Sequence, residues 1–387
     1  MTGLASVFGE RNGSEGYLVE LWLERFCNRV FVVGSEIMII PHSRPTIDQE
    51  DIRAVAEVLA SGMIAQGEKV REFENAIAGF VGMKYGVAVS SGTSALHLAL
   101  LGLGVGPGDE VIMPSYVCSS PYLATVHAGA VPKIVDISLE DLNVSAATAK
   151  KQLTSRTKAI IVPHMFGTPA ELDELSELGV PLIEDCAQSL GAEYRGRRVG
   201  CFGELSVFSF YATKMITTGE GGMVLTNNKK FYDRMVDSRD YDRKPLTPVK
   251  YNYKMTDFQA ALGLNQLNKL DDFIERRRRI ASVYNERFSG SDVELPSAPS
   301  HKGPVFFRYV IMLQEMAVVQ NRARKSGIMC EKPVYMPLHK YLPIFECSNS
   351  DRVFDHALSI PLYPSLSEKE IEYVATAMEQ ILRKQTT

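Results

Sequence analysis

The amino-acid sequence predicts an α/β fold, with a mostly parallel sheet between helices in a large domain and a smaller C-terminal α+β domain. Short apolar runs alternate with helical stretches from about residue 85 to residue 230, which is typical of parallel strands joined by covering helices. A long helical pattern follows from Met255 to Phe288, and the remaining chain contains two strand-like runs and a closing helix. The order of these patterns predicts the two-part architecture.

The elements of the large domain follow one another in a regular series. It opens with a strand at Gly86–Ser90 and a helix through Ala95–Leu101, and Glu171–Leu178 is a later helical stretch. The other predicted strands are short apolar runs at Glu110–Met113, Lys133–Asp136, Ala159–Pro163, Val180–Glu184, Leu205–Phe210 and Met223–Thr226. Ligands of such sheets bind beyond the carboxyl ends of the strands, so functional residues are expected there.

The C-terminal elements are a linking helix, two strands and a closing helix. Apolar residues at helical spacing predict one long helix over Met255–Phe288, either continuous or broken. Strands are predicted at Phe307–Met312 and Leu358–Leu362. Ser367 and Glu370 form a capping-box pattern at the start of the closing helix.

These patterns divide the chain into three parts. We assign residues 38–288 to the large domain with its linking helix, and residues 289–387 to the small domain. Residues 1–37 show no pattern that continues into the rest of the chain. We expect this N-terminal extension to be dispensable, with Met38 as the natural start.

The composition is that of an ordinary globular protein. The chain has 387 residues, of which 45% are hydrophobic and 23% charged, with a formal net charge of −4. These values exclude a disordered chain, a collagen-like repeat and a coiled coil, and the mildly acidic balance argues against a dedicated nucleic-acid binder. The six cysteines are scattered without a C-x-x-C pair, which argues against a zinc site or a disulfide framework and favours reduced thiols in the cytoplasm. No apolar run of the sequence predicts a membrane span or a secretory signal.

Two segments at predicted strand ends suggest an anion site and a buried acid. Ser90–Leu96 places small residues after a strand and at the start of a helix, where free N–H groups and the helix dipole favour a phosphate. A tight strand-to-helix turn would select the same residue types. Asp185 ends an apolar strand and would need a cationic partner if buried; the alternative is an aspartate that caps the next turn.

Two further segments suggest a reactive amine and a tight turn. Lys214 follows the apolar run that ends at Phe210, and a partly buried lysine can lose its proton and act as a nucleophile or base. The alternative is a surface lysine, which is the commoner fate. Thr217–Gly222 is a glycine-rich turn between two strands, which by itself indicates only that the backbone turns tightly.

Together the four segments predict a site for pyridoxal 5'-phosphate (PLP). Lys214 would form the Schiff base, and Asp185 would pair with the pyridinium nitrogen so that the ring can act as an electron sink. The phosphate would be held by small residues at the helix start and at the strand end before the lysine: Gly92, Thr93, Ser94 and Ser209.

Further segments extend this pattern over most of the chain. They are Ala65–Gly67, Phe73–Glu74, Ser91–Leu96, Gly108–Ile112, Pro163–Gly167, Glu184–Gln188, Ser209–Lys214, Thr218–Gly222, Tyr251–Asp257 and Pro337–His339. On these segments the chain from about Met38 onward closely resembles the DegT/DnrJ/StrS family of sugar aminotransferases. The resemblance implies the fold-type-I architecture of PLP-dependent aminotransferases.

The resemblance also implies a reaction and an assembly. An amino acid, typically glutamate or glutamine, would displace Lys214 and give its amino group to the cofactor, and a nucleotide-linked keto sugar would then accept it. The freed Lys214 would move protons as general acid and base. Gln188 matches the family residue beside the ring and its phenolic oxygen. Asn252 matches the residue that reaches the phosphate from the neighbouring subunit, which implies a homodimer with shared sites; the alternative is an asparagine that caps the helix near Thr256.

Two other positions carry expectations from the resemblance. Cys118 stands where most family members have an aromatic residue, so we expect its thiol to lie against the PLP ring. In the alternative, Tyr116 or Tyr122 takes that place and Cys118 belongs to the core. His339 lies in a loop that the family places near the sugar, and we expect it to contact the substrate; the alternative is a loop histidine bonded to backbone.

Other functions fit the sequence less well than transamination. Sugar dehydratases of the same family carry histidine in place of the Schiff-base lysine, so Lys214 favours an aminotransferase. A dinucleotide-dependent dehydrogenase needs a G-x-G-x-x-G turn, and Gly102–Gly108 does not have that spacing. A regulatory or DNA-binding protein is supported only by Arg276–Arg279, a charge run that is more typical of a solvated face or an interface.

Overall fold

The computed structural model describes residues 29–32, 35–245, 247–342 and 346–383, with side chains from Met38 onward. The predicted extension over residues 1–37 therefore lies mostly outside the described residues. Its described part forms an antiparallel hairpin of β1 (Arg29–Val32) and β2 (Ser35–Met38). That the extension is dispensable stays a prediction.

Seven strands form the central sheet, in the order β3-β11-β10-β7-β6-β4-β5. β11 runs antiparallel to both its neighbours, and the other four pairings are parallel. The strands after the hairpin are β3 (Tyr85–Val89), β4 (Glu110–Pro114), β5 (Val131–Val135), β6 (Thr157–Pro163), β7 (Leu182–Asp185), β8 (Glu193–Tyr194), β9 (Arg197–Arg198), β10 (Leu205–Ser209), β11 (Gly222–Thr226), β12 (Lys302–Gly303), β13 (Tyr309–Met312) and β14 (Ala357–Ile360). The predicted mostly parallel sheet is confirmed.

Helices connect and cover these strands. They are α1 (Gln49–Ser61), α2 (Glu68–Val81), α3 (Gly92–Leu103), α4 (Ser120–His127), α5 (Ala146–Lys150), α6 (Leu172–Ser176), α7 (Lys229–Arg239), α8 (Asp257–Asn268), α9 (Leu270–Phe288), α10 (Met316–Lys325), α11 (Leu338–Tyr341), α12 (Ser348–His356) and α13 (Glu368–Arg383). No helix in the described parts of the chain is both long and apolar enough to cross a membrane.

The predicted strands are present with shifted ends, and the pairing explains the shifts. β5 and β6 each begin two residues before the predicted start, because Glu110 of β4 pairs with Val131 on one side and Thr157 on the other. The linking helix is broken at Lys269, whose N–H bonds to the Gln266 carbonyl three residues back. Its ammonium forms ion pairs with Asp48 and Asp51 at the start of α1. The break in the helix therefore coincides with a tertiary contact.

Alternating strand residues face two apolar clusters, one on each side of the sheet. Ala88 of β3 belongs to one cluster, whereas its neighbours Val87 and Val89 belong to the other, as the two-residue period of a strand requires. Because both faces are covered, the strands read as continuous apolar runs. This burial explains why the strands could be recognised in the sequence.

A third cluster forms the core of the C-terminal unit. It joins β13, β14 and α13 with the second half of α9, from Ile280 to Phe288, and with Ile40 near the start of the described chain. Ile40 is tied to this unit by backbone hydrogen bonds with Gly327 and Met329. The domain division at residue 288 stays a prediction, and this packing places both the end of α9 and Ile40 with the C-terminal core.

The arginine run on α9 is engaged with the C-terminal unit. Arg276 and Arg279 form ion pairs with Glu368, and Arg278 donates to the Pro304 carbonyl 3.0 Å away. Arg277 is buried and donates to three backbone carbonyls. The run therefore joins two parts of the chain, as expected for an interface.

Candidate active site

The functional residues of the sequence pattern gather at the carboxyl edge of the sheet. Asp185 is the last residue of β7 and Ser209 the last of β10, and Gly92 opens the helix that follows β3. Since β7 and β10 are paired and β11 separates β10 from β3, these segments occupy neighbouring positions at one edge. This is the edge at which ligands of such sheets bind.

Lys214 stands in a turn between β10 and β11, and its N–H bonds to the Tyr211 carbonyl at 2.9 Å. Its Nζ lies 5.1 Å from the centroid of the Phe307 ring. Burial lowers the pKa of this amine and the Arg308 guanidinium lowers it further, while Cys118 and Asp185 oppose that shift. The amine is thus biased toward its neutral, nucleophilic form.

The glycine-rich turn after Lys214 permits close packing of the backbone. A side chain at Gly222 would collide with the Ser91 carbonyl oxygen, and one at Gly221 would collide with the Thr218 hydroxyl. Gly219 has a φ of +79°, which favours glycine. The turn lets β11 lie directly against the start of α3.

Asp185 is buried, and burial raises the pKa of its carboxyl group. Among the described residues it accepts one hydrogen bond, from the Ala187 N–H to Oδ1 at 3.1 Å. The turn-capping alternative therefore explains the hydrogen bond to Oδ1 but gives no partner for Oδ2 among the described residues. A buried carboxylate with an acceptor position to spare fits a cationic N–H donor such as a protonated pyridine nitrogen.

The neighbouring Glu184 has a different role, which the sequence did not reveal. Its oxygens accept from the N–H groups of Gly200, Phe202 and Gly203, each at 2.7 Å, and from His164 Nε2 at 3.1 Å. Because these partners occupy both oxygens, Glu184 fixes the backbone behind the site.

His164, Glu184 and Cys186 lie close enough together to suggest a metal site. However, His164 Nδ1 accepts from the Ala170 N–H at 3.1 Å, so Nε2 carries the proton that it donates to Glu184. Both ring nitrogens and the carboxylate are thus satisfied by protein. The cluster is structural.

The start of α3 has the backbone arrangement that suits an anion. Ser91 caps the helix by accepting from the Ser94 N–H at 3.1 Å, and the preceding N–H groups, of Gly92 and Thr93, have no partner within the helix. A Cβ on Gly92 would lie 2.9 Å from the Ser209 Cβ, so glycine is needed for this close approach. Free N–H groups at a helix start beside a serine hydroxyl fit a phosphate.

The hydroxyls of this turn are already partly engaged. Thr93 Oγ1 and Ser120 Oγ are 2.9 Å apart, and Ser94 Oγ lies 2.9 Å from Ser91 Oγ. The turn is therefore held in shape before a ligand arrives. Each hydroxyl keeps a lone pair or proton for a phosphate oxygen.

Gln188 and Cys118 are two further predicted cofactor ligands. Gln188 Oε1 accepts from the Phe166 N–H at 2.9 Å, which leaves its Nε2 as the donor for a ligand oxygen. Cys118 is exposed, and it interacts electrostatically with Lys214, so the thiol lies near the amine. Tyr116 is fully buried. The ring contact of Cys118 stays a prediction, and the buried position of Tyr116 does not favour that alternative.

Asn252 and His339 differ in their freedom to bind a ligand. Asn252 is exposed, and the helix cap at Thr256 is completed by Gln259, so the capping alternative for Asn252 is wrong. His339 is buried, with Nδ1 2.6 Å from Ser115 Oγ and Nε2 3.1 Å from Asp351 Oδ1. A contact between His339 and substrate would exchange one of these bonds, and it stays a prediction.

The sequence analysis missed Phe307 and Arg308, which lie near the lysine, and His42, which contacts Arg308. Arg308 Cζ lies 4.9 Å from the Phe307 ring centroid, and its Nη1 is 2.9 Å from His42 Nδ1. These residues come from segments far apart in the chain, with no local motif. Only the strand-like pattern at Phe307–Met312 pointed to this part of the chain.

A lysine amine with a lowered pKa, a buried carboxyl group and a helix start suited to a phosphate lie at one edge of this sheet, and this combination is typical of a PLP-dependent enzyme. Residues 45–379 match the sequence profile of the DegT/DnrJ/EryC1/StrS aminotransferase family, and the chain belongs to that family. It is a PLP-dependent sugar aminotransferase. The predicted fold class, family, enzyme class and cofactor are confirmed.

Relatives and solved structures agree over most of the chain. GDP-perosamine synthase of Escherichia coli O157:H7 is 33% identical over 365 residues, covering 88% of this chain and 98% of the relative. GDP-perosamine synthase of Caulobacter vibrioides is 34% identical over 370 residues, covering 90% and 100%. The aminotransferase TlmJ from Streptoalloteichus hindustanus superposes with a TM-score of 0.85 at 30% identity, covering 90% of this chain and 100% of TlmJ. The PLP form of the putative sugar aminotransferase Spr1654 from Streptococcus pneumoniae gives 0.84 at 27% identity, with the same coverage.

Proposed function

We propose that this enzyme transfers the amino group of an amino acid, such as glutamate or glutamine, to a nucleotide-linked keto sugar. The observation that carries the proposal is that Lys214, whose pKa is lowered by burial, interacts with the buried carboxyl group of Asp185. The names of the two GDP-perosamine synthases support a nucleotide-linked sugar as the acceptor.

The site residues have separate tasks in this proposal. Bound PLP supplies an electron sink that lets a proton leave the carbon bearing the amino group. Lys214 Nζ holds the cofactor at rest and carries that proton once it is free, for which a lowered pKa is suited. Asp185 accepts the ring N–H and keeps the nitrogen protonated.

Other residues hold the cofactor in place. The phosphate binds at the start of α3 and at the end of β10, where the donors are the N–H groups and hydroxyls of Gly92, Thr93, Ser94 and Ser209. Gln188 Nε2 donates to the phenolic oxygen, since the other end of this amide is fixed by Phe166. Cys118 lies against the ring, and His339 contacts the sugar.

We propose a homodimer in which each chain completes its partner's site. Asn252 is exposed and makes no side-chain hydrogen bond in the described structure, while backbone bonds from Tyr251 to Ser238 and from Tyr253 to Arg239 fix the segment on either side of it. An exposed amide on a held segment is suited to a phosphate oxygen of a neighbouring chain. The free thiols among the described cysteines agree with a cytoplasmic enzyme.

The test is a half-reaction assay on the PLP-loaded protein. Adding glutamate or glutamine should change the cofactor absorbance, and adding a nucleotide-linked keto sugar should reverse the change and yield an amino sugar by mass spectrometry. A panel of nucleotides and keto positions then identifies the acceptor. Cofactor that responds to amino acids but to no nucleotide-linked sugar would contradict the proposed acceptor class.

A further inference from the structure

We propose that Tyr253 is a positioning residue that joins the two cofactor sites of a dimer, so that the second PLP binds more tightly than the first. The inference rests on the homodimer of the proposed function, in which Asn252 of one chain reaches the phosphate in its partner's site. It adds a link between that contact and the phosphate turn of the same chain, which we define as Ser90–Ser94. Four structural observations support the link.

The first observation is a backbone bond between Tyr253 and the phosphate turn. The Ser90 N–H donates to the Tyr253 carbonyl at 2.8 Å. Ser90 Oγ in turn lies 3.3 Å from Ser94 Oγ, in the first turn of α3. Tyr253 is therefore attached to the segment whose free N–H groups suit a phosphate, and Asn252 is the residue directly before it.

The second observation is a side-chain contact further along the same helix. The Tyr253 hydroxyl lies 3.0 Å from Nδ1 of His97, which is buried on α3. Burial and the nearby His127 lower the pKa of His97 to about 4, so the ring is neutral and adds no charge beside the tyrosine. Tyr253 is thus joined to the body of α3 as well as to its start.

The third observation is that aromatic packing holds the residues on both sides of Asn252. The rings of Tyr251 and Tyr253 are stacked, with centroids 5.0 Å apart and an angle of 14° between their planes. The His97 ring meets the Tyr251 ring edge-on, with centroids 4.9 Å apart. Asn252 lies between the two tyrosines and is exposed, so the packed rings present its amide away from the core.

The fourth observation is that the segment has a second set of supports, at the end of α7. The Tyr251 N–H donates to the Ser238 carbonyl at 2.9 Å, and the Tyr253 N–H donates to the Arg239 carbonyl at 3.0 Å. These bonds hold the backbone without involving the phosphate turn. A change at the turn therefore reaches Asn252 through the contacts that Tyr253 makes with α3 and the residue before it.

These contacts predict how PLP in one site affects the other site. A phosphate bound at the turn of one chain adds hydrogen bonds to the N–H groups of Gly92 and Thr93 and restrains the turn. The restraint passes through Tyr253 to Asn252, which completes the partner's site. The second PLP then meets an asparagine that is already in place, and linkage requires each site to assist the other equally.

The experiment is a titration of the cofactor-free protein with PLP, with sedimentation velocity run in parallel to count the chains per particle. Cofactor absorbance at protein concentrations below the dissociation constant gives the Hill coefficient. Tyr253→Phe removes the hydroxyl and keeps the ring, and His97→Phe removes the nitrogen that faces this hydroxyl. Tyr251→Phe is the matched control, because it removes a hydroxyl from the same stack and leaves the contact between Tyr253 and His97.

We expect the second PLP to bind the parent about 5- to 10-fold more tightly than the first, at the lower end of ordinary coupling between sites. For two sites this ratio gives a Hill coefficient of about 1.4 to 1.5. Tyr253→Phe and His97→Phe should lower it to about 1.2 or less, since only the backbone bond to Ser90 then remains. Asn252→Ala should abolish the cooperativity, and Tyr251→Phe should behave like the parent.

A dimeric parent that binds PLP without cooperativity would overturn the inference, as would a parent-like coefficient in both variants. Weaker binding at both sites with the parent's coefficient would also overturn it, because Tyr253 would then act only on the fold. If Tyr253→Phe does not fold, His97→Phe decides by the same criterion. A monomeric parent would overturn the proposed dimer together with this inference, whereas the half-reaction assay tests amino transfer without reference to cooperativity.

Discussion

Asp185 and Lys214 act on each other across two paired strands of the sheet. Asp185 is opposite Val207 in the β7–β10 register, and Lys214 follows in the turn after β10. Burial raises the pKa of the carboxyl and lowers the pKa of the amine, and each group's charge partly opposes the shift of the other. Burial thus shifts both pKa values toward the neutral forms, at the sheet edge where we propose that the cofactor binds.

Asp185→Asn is expected to slow catalysis while leaving the stability of the fold nearly unchanged. An amide cannot balance a protonated ring nitrogen, so the rate of the glutamate half-reaction should fall by at least about 100-fold. The melting temperature should change little, because an Asn oxygen can still accept from the Ala187 N–H. Stopped-flow rates and thermal unfolding check both parts, and a substituted enzyme with the parent rate would contradict the role of Asp185.

Glu184→Gln should instead lower the stability of the fold. The new NH₂ group would face N–H donors in place of an acceptor, since the carboxylate receives the N–H groups of Gly200, Phe202 and Gly203. We expect a loss of about 2–4 kcal/mol in the free energy of unfolding. Urea unfolding measures it, and an unchanged midpoint would show that this network contributes no stability.

As the pH falls, the free energy of unfolding should decrease more steeply for the parent protein than for the Glu184→Gln variant. Burial alone would raise the pKa of Glu184, but hydrogen bonds from His164 and the backbone hold it below its usual value of 4.5. A lowered folded-state pKa gives stability that is present above the usual value and lost as the pH falls through the folded value. Unfolding free energies measured between pH 3 and pH 6 should converge for the two proteins at the acid end, and parallel curves would rule this out.

Cys118→Phe should tighten PLP binding by about 2- to 10-fold, because a ring adds stacking area that the thiol lacks. Titration of the cofactor-free protein with PLP measures the affinity. Cys118→Ser is the matched control, and it should bind PLP like the parent. Equal affinity for the Phe and Ser variants would place position 118 away from the ring.

Mixing two inactive variants tests the shared site. In a dimer of one Asn252→Ala chain and one Lys214→Ala chain, one site carries both lesions and the other carries neither. Activity should therefore reappear after subunit exchange, at no more than about half the parent value per mixed dimer. Verified mixed dimers that stay inactive would rule out a phosphate contact across the interface.

The sequence was sufficient to predict the central sheet and the site residues that lie at its carboxyl edge. Apolar runs covered on both faces marked the strands, and Asp185, Ser209 and Lys214 follow those runs directly. The different roles of Glu184 and Asp185 reflect strand alternation, which turns neighbouring side chains to opposite faces. That assignment needs a register, which the sequence alone did not give.

The rest of the site depends on contacts between distant segments. Arg308, His42 and Ser359 contact one another although they come from different parts of the chain, and no local spacing links them. His339 shows the same limit, because its motif marks a loop but not the partners Ser115 and Asp351 that hold the ring. Patterns within a segment predict which elements form, whereas side-chain partners across segments follow from packing.

The most direct test of the account is to locate the lysine that carries the cofactor. Borohydride reduction of the PLP-loaded protein makes the bond between cofactor and lysine permanent, and peptide mass spectrometry then identifies the modified residue. The account predicts the label on Lys214 and no stable label in Lys214→Ala. A label on another lysine of the parent, or an unlabelled Lys214 in protein that holds PLP, would contradict it.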